Sequence, residues 1–471
     1  MNCILSIDCG LTKSKSAVFN QRGEVLLENE MDTPLKGTAI NTAALCNAVT
    51  TLIYESIING GFSPKDIKAI CVSGHGNGLY IIGEHGILPY AYSSMYTGSK
   101  RYIPDTESSF PINIQSAWSG QPLAILSYLR NEEPLVFSKI RKILFCKDVI
   151  KYILTGRICT DYTDASAGGM LNYKTGTYET ELLKLYGLED CEYLLPEICH
   201  STDIIGGVTE SMARKTGLRA GTPVIGGLFD VNSCMVGAGV IKPDKYCIIS
   251  GTWGINSAVV EEPVQIRGIT QCCNFCSPER FMCIDSAPTS CVNLEWFLRN
   301  IIEGISFEEA DIIVEKQPVS ELIYLPYIYK PMDLNVNGGS FIGLTHNHNY
   351  KDMLRAVFEG IVFDHVYRIE KLKENGIVYD SAVLTGGASR SSVFCRMFSD
   401  CLGIKIYTTV NSQTGTLGVA VLGSVAVGIY PDIETATQKM VGIKQCYEPR
   451  VNSALTLKYK KFKEYLAEYR Q

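Results

Sequence analysis

The amino-acid sequence predicts an α/β protein of two domains. A strand, a tight turn rich in small hydroxyl residues and a second strand open the chain at residue 3, and the same pattern returns near residue 245. A chain of 471 residues is also longer than one hydrophobic core usually organises. We therefore predict one architecture that is made twice, with domains at 1–241 and 242–471.

Composition and charge exclude several classes of function. Hydrophobic residues make up 46% of the chain and charged residues 20%, which is typical of globular proteins. The formal net charge is -6 and no run of Lys and Arg follows a phosphate backbone, so we expect no nucleic-acid partner. No apolar run approaches the roughly 18 residues that cross a bilayer. The chain begins in a strand pattern and not in a signal peptide, so we expect no membrane association and a cytoplasmic location.

The eighteen cysteines are predicted to be reduced thiols that pack as small hydrophobic residues. Their tightest group contains Cys273 and Cys276 within an apolar, strand-like stretch. A zinc site usually needs a second Cys pair or His partners at a matching spacing. We therefore favour packing over metal binding for these cysteines.

The first half of the chain predicts three antiparallel strands, a helix and a fourth strand. Apolar runs at 3–8, 16–19 and 25–27 are separated by turns, a helical period covers 42–59, and a strand at 67–73 leads into a glycine-rich run. No Rossmann glycine motif and no P-loop is present. Any phosphate site in the first turn would therefore use backbone N–H groups and the hydroxyls of Thr12 and Ser14, with added charge from Lys13 or Lys15. The alternative is a merely polar hairpin.

The middle of the chain leads to a single carboxylate. Residues 118–156 are predicted to be mainly helical, and 161–166 to be a polar loop. The two carboxylates of that loop would contact a sugar hydroxyl or cap a helix, and the sequence leaves both open. A buried strand then begins at Val224 and ends at Asp230.

The second half repeats the strand, turn and strand pattern at 245–260 and then predicts helices. Helical patterns begin at Pro288 and cover 352–373. A strand at 383–385 ends in a double glycine and is followed by a helix at 392–401, an arrangement that suits an anion or a polar edge of a nucleotide. A helix of small residues begins near Gly415.

Four of these motifs together carry a resemblance to a known family. In chain order they are Asp8-Cys9-Gly10 with Thr12 and Ser14, then Gly226 to Asp230, then Ser250-Gly251-Thr252, then Leu384 to Ser389. This order and spacing resembles the FGGY family of carbohydrate kinases over nearly the whole chain. Within that family the closest resemblance is to the bacterial kinases of L-xylulose, through Gly226 to Asp230, Ala287 to Ser290, Asn293 to Phe297 and Glu359 to Phe363.

The resemblance implies two actin-like (ribonuclease H-like) domains around a cleft that binds ATP with Mg²⁺. It implies that Asp230 is the catalytic base and that Asp8 and Asp230 hold Mg²⁺, directly or through water. The remaining nucleotide-binding residues that it implies are Gly10, Thr12 and Lys13 at the phosphates, Ser250, Gly251 and Thr252 in a second phosphate turn, and Gly386, Gly387, Ala388 and Ser389 at the adenosine. The other interpretation of Asp230 is an N-cap of the following helix.

The sugar site is expected at the glycine-rich run after the fourth strand. The resemblance places this loop at the sugar, and His75, Gly76 and Asn77 would contact its hydroxyls. Trp118 either stacks on the sugar or fills the core. Relatives usually carry an acidic residue where this chain has Met95, and many carry Arg where it has Gly338, so the exact sugar stays open.

The expected function is ATP-dependent phosphorylation of a small ketose by in-line transfer, with L-xylulose as the preferred substrate. D-xylulose, L-ribulose and polyols are the alternatives within the family. A different class would be a non-catalytic, ATP-binding sugar sensor, although the residues before Asp8 leave no space for a DNA-binding helix-turn-helix. The partner is then a small-molecule sugar, and a homodimer is left open.

Overall fold

The computed structural model describes residues 2–104, 117–264, 271–277, 279–329, 334, 336 and 338–469. The chain separates into two compact units. The first unit contains Met1–Ile241, Cys272–Phe281 and Gln413–Val441, and the second contains Lys242–Gln271, Met282–Ser412 and Gly442–Gln471. A single division at residue 241 is therefore incomplete, because two later segments return to the first unit.

The elements up to residue 241 alternate short strands with helices. The strands are β1 (Cys3–Cys9), β2 (Lys13–Asn20), β3 (Val25–Asp32), β4 (Leu35–Lys36), β5 (Ala39–Asn41), β6 (Ile67–Gly74), β7 (Tyr80–Gly83), β8 (Gly86–Ile87), β9 (Tyr90–Tyr92), β10 (Lys142–Leu144), β11 (Cys159–Asp161), β12 (Leu171–Asn172), β13 (Thr177–Tyr178), β14 (Glu197–Cys199), β15 (Ile204–Gly207), β16 (Pro223–Ile225) and β17 (Leu228–Phe229). The helices are α1 (Thr42–Tyr54), which continues as a π-helix over Glu55–Asn59, α2 (Pro122–Glu132), α3 (Pro134–Phe137), α4 (Cys146–Thr155), α5 (Tyr162–Ala167), α6 (Thr180–Leu185), α7 (Glu210–Thr216) and α8 (Asp230–Gly237), with 3₁₀ turns at Lys100–Tyr102 and Glu192–Leu194.

The later elements contain the longest helix. The strands are β18 (Tyr246–Ser250), β19 (Gly254–Val260), β20 (Gln271–Asn274), β21 (Phe281–Ala287), β22 (Ile323–Leu325), β23 (Ser340–Ile342), β24 (Ser381–Thr385), β25 (Lys405–Thr409) and β26 (Ile443–Tyr447). The helices are α9 (Val292–Asn300), α10 (Phe307–Lys316), α11 (Tyr350–Glu374), α12 (Ser392–Leu402), α13 (Thr414–Ala426), α14 (Ile433–Met440) and α15 (Ser453–Tyr469), with a 3₁₀ turn at Gly387–Arg390.

The main sheet of the first unit runs in the order β15–β16–β6–β1–β2–β3, with β17 also paired to β6. The strands β1, β2 and β3 are antiparallel, as the sequence predicts, and β6 lies parallel to β1. Strand β1 is buried along its apolar residues because helices cover the sheet. Helix α13 packs against β1, β6 and α8, and it is buried almost all round, so its small apolar residues need a partner surface on every side.

The main sheet of the second unit contains the order β21–β19–β18–β24–β25–β26. Strands β18 and β19 form an antiparallel hairpin, and β24 lies parallel to β18 on its other edge. The first unit has the same arrangement in β2, β1 and β6. The two sheets therefore support the prediction of one architecture made twice.

The stretch 118–156 is mainly helical, as predicted, through α2, α3 and α4. Strand β10 interrupts it, because Ile143 and Leu144 complete a buried sheet edge beside β7. A second local prediction is wrong. The expected polar loop at 161–166 is instead the end of β11 and a buried helix, α5. Within the described residues, no helix has the length and apolar character needed to cross a bilayer. The cysteines are thiols, and most of them are buried.

Candidate active site

Asp8 lies near the carboxyl end of β1 and faces the first turn of α13. A Cβ atom at Gly415 would lie 2.5 Å from Asp8 Oδ2, so glycine allows the helix to approach this carboxylate. The N-terminus of a helix favours a negative charge. Burial raises the pKa of Asp8, and the Lys15 ammonium group opposes this rise. Asp8 Oδ1 is buried without a hydrogen-bond partner in the described part of the chain, and it is therefore free to bind a ligand.

Lys15, and not Lys13, is the cation beside Asp8. Lys15 is opposite Asp8 in the register of β1 and β2, and its Nζ donates to Gln413 Oε1 at 2.8 Å. Lys13 is opposite Asp32, and its half-exposed ammonium group lies 2.8 Å from that carboxylate. The strand register therefore gives the two lysines different partners.

One of the two hydroxyl residues at the turn after β1 forms a hydrogen bond within the protein. Thr33 Oγ1 donates to Gly10 O at 2.7 Å, so Ser14 Oγ, 3.0 Å away, must donate to Thr33 Oγ1. Ser14 is fully buried, whereas Thr12 is exposed on the turn. The structure thus gives Ser14 a structural role in place of the expected phosphate contact and leaves the hydroxyl of Thr12 at the surface.

Asp230 follows β17 and begins α8. Its Oδ1 accepts a hydrogen bond from the N–H of Val231 at 2.8 Å, so the carboxylate does stabilise the start of its own helix. Burial, followed by the negative charge of Asp8, raises the pKa of Asp230 to about 7 against the opposing effects of His75 and of the Val231 and Gly76 N–H groups. The structure therefore brings together Asp8, His75, Gly76 and Asp230, all of which the sequence predicted as site residues.

The backbone that carries Asp230 is fixed from both sides. Lys151 Nζ donates to Gly226 O at 2.8 Å, and the N–H of Phe229 donates to Thr163 Oγ1 at 3.0 Å. Thr163 Oγ1 in turn donates to Asp161 Oδ2 at 2.6 Å. These bonds fix Gly226 and Phe229, which precede Asp230 in the chain.

Asp161 is the centre of this support. It accepts a second hydrogen bond from Ser201 Oγ at 2.8 Å, and the carbonyl of Ser201 accepts from the N–H of Gly227 at 3.1 Å. Asp161 also caps α5 by accepting from the N–H groups of Thr163 and Asp164. The structure therefore favours the helix-cap interpretation of this carboxylate and adds a support that the sequence did not predict.

A buried cluster of charges lies behind the Asp230 loop. Lys147 Nζ lies 2.9, 2.8 and 2.6 Å from carboxylate oxygens of Asp148, Asp161 and Asp164, and Lys151 Nζ lies 2.9 Å from Asp148. These side chains are at most 1% exposed. Burial raises the pKa of Asp164 to about 8, with Lys147 opposing and the other two aspartates adding to the rise. Two ammonium groups therefore face three carboxyl groups, and the raised pKa of Asp164 favours its protonated form.

The glycine-rich loop after β6 carries buried polar atoms without a hydrogen-bond partner among the described residues. The backbone N–H of His75 donates to Cys9 O at 2.8 Å and its Nε2 lies 2.9 Å from Tyr80 Oη, whereas its Nδ1 has no partner in these residues. Asn77 Oδ1 is also buried without a partner among the described residues, and Asn77 has a left-handed backbone with φ of 59°. These atoms are suited to bind hydroxyl groups of a ligand.

The turn before α2 lies against this loop. Gly78 N–H donates to Gly120 O at 2.8 Å, and the N–H of Trp118 donates to Gln121 Oε1 at 3.2 Å. Trp118 Nε1 and Gln121 Nε2 are buried without partners in the described ranges. Sequence reasoning missed Gln121, and its only signal was a polar residue directly before a helix that begins with Pro122. Met95 is 40% exposed.

The second unit has a cavity at its predicted nucleotide motifs. Gly386 has φ of 84°, and a Cβ atom there would lie 2.6 Å from Ser250 O, so glycine lets the strand end approach the turn after β18. A cavity of about 420 Å³ adjoins both segments and is lined in part by Gly251, Thr252, Gly387 and Ala388.

Two other predicted residues of the second unit have internal roles. Ser250 is fully buried, and Ser389 Oγ donates to Gly386 O at 2.8 Å within the turn. The sequence did not predict Asp311, Ser391 and Phe394, which also line the cavity. Ser391 caps α12 and donates to Asp311 Oδ1 at 2.7 Å, a contact between segments 80 residues apart.

Comparisons with known proteins match both halves of the chain to one family. The N-terminal domain model of the FGGY family of carbohydrate kinases matches residues 3–237, and the C-terminal domain model matches 247–427. The chain is 28% identical to a "Probable L-xylulose kinase" of Pasteurella multocida over 98% of both chains. It is also 28% identical to the "L-xylulose/3-keto-L-gulonate kinase" of Escherichia coli, over 93% of this chain and 90% of the relative.

The fold matches that of solved kinases. A ligand-bound xylulose kinase from Lactobacillus acidophilus superposes with a TM-score of 0.88 at 23% sequence identity, over 100% of this chain and 98% of that one. This match confirms the predicted α/β fold with two actin-like domains. The family models cover most of the sequence and both candidate sites. The chain belongs to the FGGY family of carbohydrate kinases and is an ATP-dependent sugar kinase.

Proposed function

We propose that the enzyme phosphorylates a small ketose, with L-xylulose as the preferred substrate and Asp230 as the general base. The observation that carries this proposal is a single carboxylate with a pKa near 7 beside Asp8 and His75. A sugar hydroxyl is a weak nucleophile at neutral pH, and a base that accepts its proton contributes about 10²–10⁴-fold to the rate. The preference for L-xylulose rests on the names of the two relatives reported above.

The residues present fit a nucleotide with Mg²⁺. Asp8 and Asp230 supply carboxylate oxygens, which Mg²⁺ prefers as ligands, and Asp8 Oδ1 has no other partner among the described residues. When bound, Mg²⁺ neutralises charge on the phosphate oxygens. Lys15 and the N-terminus of α13 support negative charge at Asp8, and the cavity of the second unit is where we propose that the adenosine binds.

The pH dependence of turnover follows from the raised pKa of Asp230. A general base must be deprotonated, so we expect the profile of kcat/KM to have an acidic limb that begins near pH 7. Below this pH, kcat/KM should fall about tenfold per pH unit. Asp8→Asn removes a negative charge that raises this pKa, and the limb in that variant should move to lower pH. Rate profiles of both proteins from pH 5 to 9 measure the shift. A limb that stays in place, or moves to higher pH, contradicts this assignment.

The two lysines of β2 provide a matched pair of variants. Lys15→Met should raise the Kd of Mg-ATP by about tenfold, because it removes one ammonium group beside Asp8. Lys13→Met removes only an exposed ion pair with Asp32, and its Kd should stay within about twofold of the wild type. Isothermal titration with a non-hydrolysable ATP analogue measures both. Equal losses in the two variants would contradict the different partners described above.

Substrate choice is tested by ADP release over a panel of L-xylulose, D-xylulose, L-ribulose, xylitol, glycerol and 3-keto-L-gulonate. We expect the highest kcat/KM with L-xylulose. The sugar acid is included because the Escherichia coli relative is named for it, and because the neutral Met95 adds no charge that would repel a carboxylate. Dominant activity on a polyol would reject the ketose assignment. Intact ATP binding without sugar-dependent ADP release would favour a sensor.

A further inference from the structure

A chain of buried hydrogen bonds in the second unit ends at the turn after β18. Asn256 Oδ1 lies 2.8 Å from His365 Nδ1, His365 Nε2 lies 2.9 Å from Ser290 Oγ, and Ser290 Oγ lies 3.0 Å from Ser250 Oγ. All four residues are at most 1% exposed. They come from β19, α11, the segment before α9 and the end of β18, so the chain joins four elements around one turn.

The direction of these hydrogen bonds follows from the groups at one end. Asn256 Nδ2 faces the carbonyl of Asp285 at 3.5 Å, and a carbonyl only accepts, so the amide oxygen of Asn256 faces His365. His365 Nδ1 must therefore carry a hydrogen. Burial lowers the pKa of His365 to about 4, so the ring is neutral at pH 7 and Nε2 is an acceptor.

The remaining two hydroxyls then have fixed roles. Ser290 must donate its only hydroxyl hydrogen to His365 Nε2, so it can only accept from Ser250. Ser250 consequently donates to Ser290. The thiol of Cys291 lies 3.3 Å from Ser250 Oγ and can donate to it. Ser250 thus has no hydroxyl hydrogen left for a phosphate oxygen, although the family resemblance places it in a phosphate turn.

We propose that His365 is a positioning residue for nucleotide binding, which orients the Ser250 hydroxyl toward Ser290 and leaves Thr252 as the side-chain donor of the turn. This inference rests on the proposed binding of ATP at this turn. Thr252 is exposed and lines the cavity, whereas Ser250 is buried beneath it. The N–H of Cys291 also donates to Gly251 O at 2.9 Å, so the turn is held at two adjacent residues.

The packing around the ring supports a positioning role. A Cβ atom at Gly254 would lie 3.1 Å from His365 Cε1, so the ring contacts the first residue of β19, directly after the turn. The ring of Phe398 packs edge-on against the imidazole with a centroid distance of 5.3 Å. Asp364 and Arg368 are the charged neighbours that act on His365, and they oppose each other in their effect on its pKa.

The first test measures the tautomer of the wild type. In ¹⁵N spectra of histidine-labelled protein, His365 should be protonated at Nδ1 and unprotonated at Nε2, without titration between pH 5 and 8. The Ser290→Ala spectrum assigns the signal, because that variant removes the partner of Nε2. An Nε2-protonated or titrating ring would overturn the proposed direction of the chain, whether or not the enzyme binds ATP.

The second test compares affinities for Mg²⁺ with a non-hydrolysable ATP analogue. Thr252→Val should raise Kd by about tenfold. Ser250→Ala should raise Kd by no more than about twofold. Ser290→Ala removes the same hydrogen bond between Ser250 and Ser290, so its Kd should rise no more than that of Ser250→Ala. If Ser250→Ala loses as much affinity as Thr252→Val, the inference is overturned, but the proposed nucleotide site is not. No binding by the wild type overturns the proposed nucleotide site and the inference with it.

Discussion

Replacing Asp230 with Asn should lower kcat for ketose phosphorylation by about 10²–10⁴-fold. The amide keeps the size and the hydrogen bond from Val231, but it cannot accept the proton of the sugar hydroxyl. Initial rates of ADP release at saturating sugar and ATP measure the loss. Asp190→Asn, which alters an exposed carboxylate paired with Arg130, is the matched control and should retain wild-type turnover.

The same substitution should raise thermal stability at alkaline pH. The pKa of Asp230 is raised from 3.8 to about 7 in the folded protein, so the folded state binds the proton more tightly than the unfolded state. The contribution of Asp230 to stability should therefore increase as pH falls from about 8 toward 4, and the amide variant should lose that contribution. A variant that melts lower than the wild type at pH 8, or retains full turnover, would contradict the role given to Asp230.

Replacing Lys147 with Met should destabilise the fold by about 3–5 kcal/mol. Lys147 is the buried ammonium group that contacts Asp148, Asp161 and Asp164, and its removal leaves the fully buried carboxylate of Asp161 without its cation. Urea unfolding followed by circular dichroism measures the loss. Lys184→Met, which removes an exposed ion pair with Glu181, should change stability by less than about 1 kcal/mol.

The aspartates around Lys147 provide an internal control. The raised pKa of Asp164 favours its protonated form at pH 7, so Asp164→Asn should change the free energy of unfolding very little at that pH. Asp161→Asn should be strongly destabilising, because its carboxylate accepts from Thr163 and Ser201 and contacts Lys147. Equal effects of the two variants would contradict the distribution of charge described here.

The parts of the site that end a strand could be predicted from the sequence. Asp8, Asp230 and Gly386 each follow a short apolar run, and such a run closed by a small or charged residue predicts a buried strand with a functional end. The repeated strand and turn pattern also predicted both hairpins. These signals are local, because they depend on residues within about ten positions of each other.

The parts that depend on register and on distant partners could not be predicted. Lys13 and Lys15 are alike in the sequence, and only the pairing of β2 with its two neighbours gives them different partners. The stretch 161–166 looked exposed because it is polar, yet Lys147 from α4 pairs with its carboxyl groups in the interior. The hydroxyls of Ser14 and Ser250 looked available because their buried acceptors are far away in the sequence.

The most direct test of the central claim follows the phosphoryl group itself. Wild-type enzyme is incubated with L-xylulose and ATP labelled in the terminal phosphate, and the products are separated and identified by mass. We predict a labelled pentulose monophosphate in the same amount as ADP, and about 10²–10⁴-fold slower formation of that product by Asp230→Asn. Label that appears only as inorganic phosphate, or a variant that forms the sugar phosphate at the wild-type rate, would contradict the account.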